Sequence, residues 1–294
     1  MTHFVAILPA QQLAPHVKAY RDAVAAKRRQ AALAAAVLVA ALLAAGHAAE
    51  VAPAVLWAKI GNFTSYFERL AHLDTGALVW TDPAEWFWGL RKWLRLLGET
   101  LLMAYVGTLT GAVGAFAVCF LCAPNLMPFA VVRSVTRRML EVCRTVPDMV
   151  FALIFVVAFG LGPLPGVMAI AIHTMGALGK LFTEVAENID HKPIDGVAAA
   201  GGGWFARVRF GAVPQVLASF VSYTLLRFEV NVRGAAVLGF VGAGGIGEEL
   251  ITAIRKFYYS DVSAILLLVV LCVMVIDLLT ERVRHRLANA EGAR

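Results

Sequence analysis

Charged side chains are scarce in this sequence. Only 16% of its 294 residues are Asp, Glu, Lys or Arg, and 60% are apolar, whereas a soluble domain is typically about half apolar and a quarter charged. So large an apolar excess cannot be buried inside a water-facing globule of this size. The composition therefore argues against a soluble enzyme and indicates a membrane protein.

Cysteine is also rare, with four residues, and Gly and Pro occur in ordinary numbers. These counts exclude a small disulfide scaffold, a collagen-like repeat and a disordered chain. Cys119 and Cys122 have C-x-x-C spacing but lie in an apolar helix without a second ligand pair, so we expect packing residues and no metal site. The chain contains no G-x-x-x-x-G-K-[ST] sequence and is not expected to hydrolyse ATP itself.

Uncharged runs predict an all-α, polytopic membrane protein with six transmembrane helices, because about 20 residues cross a hydrocarbon core of about 30 Å. The expected spans are 31–49, Thr100 to about Ala123, a hairpin of two within 149–179 turning at Gly160–Gly166, one within 211–247 and one within 262–280. We divide the chain into an amphipathic N-terminal segment, 1–30, and a membrane domain, 31–294, whose last five spans occupy about 99–281. A cleaved signal peptide is the alternative for the first run, although its flank is long for one.

The distribution of Lys and Arg predicts that both termini are cytoplasmic. With that orientation 17 of the 26 Lys and Arg residues fall on the inner side, as the positive-inside rule requires. The outer stretch 50–98 contains five of the six Trp residues, namely Trp57, Trp80, Trp86, Trp88 and Trp93. Aromatic side chains suit the headgroup level, so we expect short helices on the outer leaflet there.

The cytoplasmic segment 187–214 is predicted to form a compact helix–turn–helix. Asp195 opens a short helix, glycines from Gly201 allow a bend, and Pro214 starts the next membrane helix. Trp204 and Phe205 are expected to be exposed in the loop, which suggests a docking surface. A plain connector with its aromatics folded onto the bundle is the alternative.

This segment resembles the EAA loop of ABC importer permeases. Asp195-Gly196-Val197 occupy the place of the acidic-Ala-Ala triplet, Gly201 that of its glycine, and Val213-Pro214 that of its Leu-Pro ending. Asp in place of Glu, Gly and Val in place of two Ala, and Gly211 in place of a usual Ile are departures that keep the spacing. The resemblance implies that the segment is a coupling helix docking on an ATPase. The coupling residues it implies are Asp195, Gly196, Gly201, Gly202, Trp204, Phe205 and Pro214.

A more specific resemblance covers about Glu99 to Arg286. The segments Glu99–Thr108, Arg144–Pro147, Tyr223–Arg233, Val237–Gly247 and Tyr258–Asp261 are together similar to the permease subunit of phosphonate ABC importers. That family implies a non-enzymatic homodimer in the bacterial inner membrane, two cytoplasmic ABC ATPases that use ATP and Mg, and an external phosphonate-type binding protein. It implies no cofactor on this chain and no nucleic acid.

Charges within the fifth span mark a candidate translocation path. Arg227 is expected near mid-membrane, and Glu229 and Arg233, four residues apart, are expected to pair with each other. Charges at this depth are costly and should face the interior, either as an anion path or as a network that holds helices together. The candidate path residues are Arg227, Glu229, Asn231, Arg233, Tyr223, Thr224 and His173.

The glycines of the segment 242–247 satisfy G-x-G-x-x-G, but they follow a membrane helix and not the strand of a dinucleotide-binding unit. Together with the family resemblance, this favours close backbone approach or a helix break at an outer gate. The gate residues are Gly242, Gly244, Gly245 and Gly247.

Two other classes compete with this interpretation. An ion-coupled secondary transporter of a small anion would use Glu229, His173 and Asp277 as coupling groups. The sequence argues against it because no pair of broken helices is evident in matching halves. A membrane-embedded enzyme is the other, but no clustered His, Asp or nucleophile triad occurs in the spans.

Overall fold

The computed structural model describes residues 10–292; the N-terminal end of the expected 1–30 segment and Arg294 lie outside it. The described chain is helical, and its only β-type pairing is an isolated bridge between His72 and Leu78. It divides into two compact units with the boundary after Phe67. The helices are α1 (Ala10–Ala48), α2 (Pro53–Leu70), α3 (Pro83–Trp86), α4 (Leu90–Cys122), α5 (Ala130–Thr145), α6 (Asp148–Phe159), α7 (Pro163–Glu187), α8 (Lys192–Ala199), α9 (Trp204–Ala206), α10 (Val213–Leu238), α11 (Ile246–Arg255) and α12 (Tyr259–Gly292).

The first unit holds α1 and most of α2. Helix α1 runs without interruption through residue 30, and its part Lys18–Ala48 is apolar enough to cross a membrane. Helix α1 ends at Ala48, and α2 begins at Pro53. Proline is well tolerated there because the first turn of a helix needs no amide donors. The division of the chain at residue 30 stays a prediction.

The second unit is built around α4 and α7, which pack closely because small residues line their contact. A Cβ on Gly107 would lie 2.7 Å from the Ile170 side chain, and one on Gly111 would lie 2.6 Å from the Ala171 carbonyl. Any larger residue would therefore push the two helices apart. Farther along, Phe182 of α7 stacks on Phe220 of α10 with ring centroids 3.9 Å apart.

Four helices in the described residues are long and apolar enough to span a membrane: α1 over Lys18–Ala48, α4, α7, and α12 over Tyr259–Arg286. Two further spans, six in all, result if each of two bent helix pairs is counted as one span. These pairs are α5 with α6, bent by 85°, and Trp204–Val241 with α11, bent by 49°. The expected all-α, polytopic class is confirmed. The third span differs from the expectation, because α6 has only 12 residues, about 18 Å of helix, and is too short to cross alone.

The second span also begins earlier than expected, since α4 starts at Leu90 and not near Thr100. Trp93 is consequently inside a helix and 1% exposed, packed with Ile246 and Ile265 in a buried cluster. The expectation that Trp93 lies at the headgroup level is therefore wrong. Trp86 is half-buried and donates to the Ser263 hydroxyl at 3.0 Å.

Candidate functional site

A group of polar side chains lies in the middle of the second unit. Buried Asn231 of α10 donates from its amide nitrogen to the hydroxyls of Thr108 and Thr174, each at 2.8 Å. Thr108 lies eight residues, or about 12 Å, beyond Thr100, where the uncharged part of α4 begins. Arg227 lies four residues, about one helical turn, before Asn231 on α10, so both are expected well inside a hydrocarbon core of about 30 Å.

Arg227 is joined to α5 and α7 through His173. One of its terminal nitrogens lies 2.8 Å from His173 Nδ1, and His173 Nε2 lies 3.2 Å from the backbone oxygen of Arg144. A neutral imidazole that accepts at Nδ1 and donates from Nε2 satisfies both contacts. The arrangement orients the Arg227 guanidinium without neutralising its charge.

A carboxylate that influences Arg227 is that of Asp148, the first residue of α6. Asp148 acts on Arg227 electrostatically, but no salt bridge within 4.0 Å joins Arg227 to any described carboxylate. The Arg227 side chain is only partly buried, and its Nε is enclosed without a hydrogen-bond partner. A guanidinium is therefore held within the helix bundle with its Nε unpartnered.

The expected pairing of Glu229 with Arg233 is wrong, because both side chains contact α12 instead. The Glu229 carboxylate accepts from the Thr280 hydroxyl and lies 3.2 Å from an Arg284 nitrogen. Arg233 lies 3.2 Å from Asp277. Residues four apart on one helix face can pair. Here each of the two side chains instead forms an ion pair with an oppositely charged group on the adjacent antiparallel helix α12.

The polar residues of α10 fall on two faces. At 100° per residue, Tyr223, Thr224 and Asn231 lie within about 60° of Arg227. Glu229 and Arg233 lie on the other face, toward α12. Val230 is 50% exposed and lies about 60° from both Arg227 and Arg233. The seven expected path residues are thus not one lining: Arg227, His173 and Asn231 meet on the α7 side, and Glu229 and Arg233 on the α12 side.

Tyr223 and Thr224 lie nearer the α7 C-terminus. Tyr223 borders an open cavity together with Asn188, Asp190 and Gln215, and the Thr224 hydroxyl donates to the Phe220 backbone oxygen at 2.8 Å. Thr224 therefore satisfies its donor within its own helix. Among the described residues, neither side chain forms a hydrogen bond with Arg227.

The segment 187–214 forms a knob at the end of the bundle. Helix α8 carries Asp195 and Gly196 on its exposed surface and buries Ile194, which packs against Gly211. Gly201 has a φ of +83°, a conformation that favours glycine. A Cβ on Gly202 would lie 2.6 Å from the Val197 side chain, so a larger residue would open the turn.

The two aromatic residues of the knob have different environments. Phe205 is 77% exposed, whereas Trp204 is half-buried and donates from its indole nitrogen to the Leu126 backbone oxygen at 3.0 Å. The expectation that both are exposed is therefore wrong for Trp204, which anchors the knob to the α4–α5 turn.

The junction after the knob also differs from the expectation. The helix continues from Trp204 through a π-helical turn, Arg207–Ala212, into α10. Pro214 thus lies in the first turn of α10, but it does not begin a separate helix. A π turn inserts one extra residue in the helical repeat and is frequent at functional sites.

The expected gate glycines form the turn between α10 and α11. Gly242, Gly244 and Gly245 have φ between +75° and +88°, which favours glycine. A Cβ on Gly247 would lie 1.8 Å from the Ala236 carbonyl oxygen. Gly162 donates its amide to the Gly242 carbonyl at 3.0 Å, which joins this turn to the α6–α7 turn. The glycines therefore allow both a break and a close backbone approach.

Comparison with known proteins identifies the family. Residues 115–290 match the family described as binding-protein-dependent transport system inner membrane component. The chain belongs to this family. It is therefore a transport subunit of the membrane and not itself an enzyme, as the sequence predicted, and the ATP that drives such importers is used by a partner ATPase.

Three curated relatives each match between 40% and 65% of the chain. The phosphite transport system permease protein PtxC of Stutzerimonas stutzeri is 39% identical over 191 residues, 65% of this chain and 70% of that protein. The phosphate-import permease protein PhnE of Mycolicibacterium smegmatis is also 39% identical over 191 residues, 65% of this chain but 36% of that protein. The putative cryptic phosphonate permease protein PhnE2 of Escherichia coli is 43% identical over 117 residues, 40% of this chain and 96% of that protein. The resemblance to phosphonate-type permeases is confirmed.

A solved structure shows the same fold. The MetNI methionine ABC transporter in an inward-facing conformation matches with a TM-score of 0.58 and 20% identity, over 70% of this chain and 98% of that one. At this identity the likeness concerns the fold alone. The all-α importer-permease architecture expected from the sequence is thereby confirmed.

Sequence reasoning missed four participants in the site: Arg144, Asp148, Thr280 and Arg284. Arg144 contributes a backbone carbonyl, which no sequence pattern reveals. Arg284 follows the last expected span, 262–280, yet it reaches Glu229. Asp148 is the first charge after Arg144 and directly follows Pro147, so the helix break there was the signal that pointed to it.

Proposed function

We propose that this chain is the permease subunit of an ATP-driven importer for a phosphorus oxyanion such as phosphite, phosphate or a phosphonate. It works in the bacterial inner membrane as a homodimer, with both termini and the 187–214 knob in the cytoplasm. Two ABC ATPases that bind ATP and Mg²⁺ dock on the knobs, and an external binding protein delivers the anion. The names of the three relatives support this class of cargo.

The observation that carries the proposal is the state of Arg227. Its guanidinium lies at mid-membrane, contacts neutral His173, and has no described salt bridge. An uncompensated cation at this depth is costly unless it serves an ion or faces water. A planar guanidinium with free donors suits the oxygens of a phosphorus oxyanion, and weak, incomplete coordination lets the anion leave again.

The exposed strip of α10 supports a path between two copies. Val230 and Val237 are 50% and 41% exposed, and the strip is flanked by the charges of Arg227 and Arg233. Lipid is a poor neighbour for a surface bordered by two guanidinium groups. A second copy that presents the same strip would enclose a passage lined on both sides by arginines. The positive potential of these arginines would lower the energy barrier for an anion to cross the membrane.

Coupling is assigned to the knob. Phe205 and Phe210 are 77% and 67% exposed, although a large aromatic side chain on a water-facing loop is normally covered by a partner. Closure of the two ATPases would draw the knobs together, and the rigid helix from Trp204 into α10 would pass that motion to the level of Arg227.

Reconstitution in vesicles tests the proposal. Vesicles that contain this chain, its ATPase and its binding protein are loaded with ATP in the ATPase-facing compartment and given labelled phosphite, orthophosphate or methylphosphonate. We expect uptake of at least one of these anions, dependent on both partners, and no uptake of methionine. Uptake driven by a proton or sodium gradient without the ATPase would instead establish the secondary transporter.

The secondary transporter has one observation in its favour. The sequence shows no pair of broken helices in matching halves, but the described residues contain two bent pairs, at 85° and 49°. Membership of the binding-protein-dependent family is therefore the stronger reason for preferring an ATP-driven importer.

A further inference from the structure

Two ion pairs join α10 to α12, and they differ in how firmly they are held. The Glu229 side chain is 9% exposed and contacts both Arg284 and the Thr280 hydroxyl. In the second pair, Arg233 and Asp277 are 52% and 42% exposed. Both carboxylate oxygens of Asp277 lie within 3.3 Å of one Arg233 nitrogen, and no other described side chain forms a salt bridge with either residue.

The Arg233–Asp277 pair lies at a depth that an incoming ligand would pass on the proposed route. Arg233 lies two residues beyond Asn231, toward the end of the bundle where the Ile246 amide donates to the Thr100 hydroxyl at 2.9 Å. It is therefore about 9 Å from the level of Thr100, nearer the proposed outer side than Arg227 is. A half-exposed ion pair at such a depth requires a polar neighbour or water.

We propose that Asp277 is an internal competitor for the cargo, which holds Arg233 between transport events and is displaced when an oxyanion arrives. The inference rests on the proposed function, and it adds a residue that limits how tightly the anion is held. The exposed strip centred on Val230 is then flanked by two cations that the anion would meet in turn. Arg233 comes first, and Arg227 lies about 9 Å farther in.

The chemistry of the exchange is that of one anion for another. A carboxylate and a phosphorus oxyanion offer a guanidinium the same kind of acceptor oxygens, so they compete for Arg233. The arriving anion must replace the Asp277 contact, and the return of Asp277 helps it to leave. Glu229 cannot play this part, because two donors hold its carboxylate and burial prevents exchange.

Asp277→Asn tests the proposal, because it removes the competing charge and keeps the size of the side chain. Labelled phosphite, orthophosphate or methylphosphonate, whichever the wild-type complex transports, is bound to the permease–ATPase complex in nanodiscs without the binding protein. We expect binding about fivefold tighter than in the wild type and slower uptake at saturating binding protein. Glu281→Gln is the matched control, since Glu281 lies on the same helix and, among the described residues, forms an ion pair with His285 alone.

A second substitution separates competition from helix packing. In Arg233→Gln/Asp277→Asn the gain in binding should vanish, because the cation that Asp277 releases is gone. Unchanged binding in Asp277→Asn, with or without a lower melting temperature, overturns the proposal, as does a gain that persists in the double variant. If the wild-type complex transports none of the three anions, the proposed function fails; if it transports one and Asp277→Asn binds it normally, only the present inference fails.

Discussion

At the scale of single residues, the charges inside the bundle are of two kinds. Glu229 is nearly enclosed and satisfied by Thr280 and Arg284, whereas Arg227 keeps donors unused beside a neutral His173. Breaking a buried pair is expensive because the remaining charge loses its compensation in a low dielectric. Paired charges therefore hold helices together, and Arg227, which has no salt bridge to a described carboxylate, is the charge left for a ligand.

Glu229→Gln is expected to destabilise the protein by about 3 kcal/mol, because it leaves Arg284 unpaired at membrane depth. Arg233→Gln should cost at most about 1 kcal/mol, since its pair is half exposed. Thermal unfolding of the detergent-purified protein measures both. The double variant Glu229→Gln/Arg284→Gln should recover part of the loss. Equal losses for Glu229→Gln and Arg233→Gln would contradict the distinction between the two pairs.

The sequence identified which residues are charged at depth but not their partners. Hydropathy places Arg227, Glu229 and Arg233 within a span, because each charge interrupts an apolar run. The partners of Glu229 and Arg233 lie 44 to 55 residues away on α12, and the packing of α12 on α10 is not encoded in any local pattern. Local spacing alone favoured a pair within α10, which is wrong.

At the scale of elements, helices extend beyond the parts that hydropathy reports. Helix α4 begins ten residues before its uncharged run, because its first turns pack against α11 and α12 through Trp93 and not against lipid. The α5–α6 break follows from Pro147, which disfavours a helical conformation in the preceding residue. The knob was predictable in outline from its glycines, while the anchoring of Trp204 depends on the distant Leu126 carbonyl.

The two aromatics of the knob are expected to respond differently. Phe205→Ala removes an exposed side chain and should leave the folding yield unchanged while lowering transport-coupled ATPase stimulation severalfold. Trp204→Phe loses the hydrogen bond to Leu126 and should lower the stability of the free permease by about 1 kcal/mol. Co-purification with the ATPase and the stimulation of its activity measure the effect of Phe205→Ala. The melting temperature measures the effect of Trp204→Phe. Normal coupling in Phe205→Ala would exclude this face as the docking surface.

At the scale of the whole molecule, the second unit contains the parts that an importer subunit requires. Paired helices α4 and α7 form its core, a knob projects from one end, and glycine turns join α6–α7 to α10–α11 at the other. The match to the inner membrane component family covers most of this unit. Fold class and family were predictable because membrane spans and the knob spacing are local signals, whereas the bend angles of the two bent spans depend on tertiary packing.

The most direct test of the account is transport by Arg227→Gln in the reconstituted complex, compared with Arg227→Lys. The account predicts that Arg227→Gln loses at least about tenfold in phosphorus oxyanion uptake, because the mid-membrane cation is removed. Expression, assembly and basal ATPase activity should remain, and Arg227→Lys should retain part of the uptake. Normal uptake by Arg227→Gln, with the protein folded and assembled, would contradict the claim that the anion passes this residue.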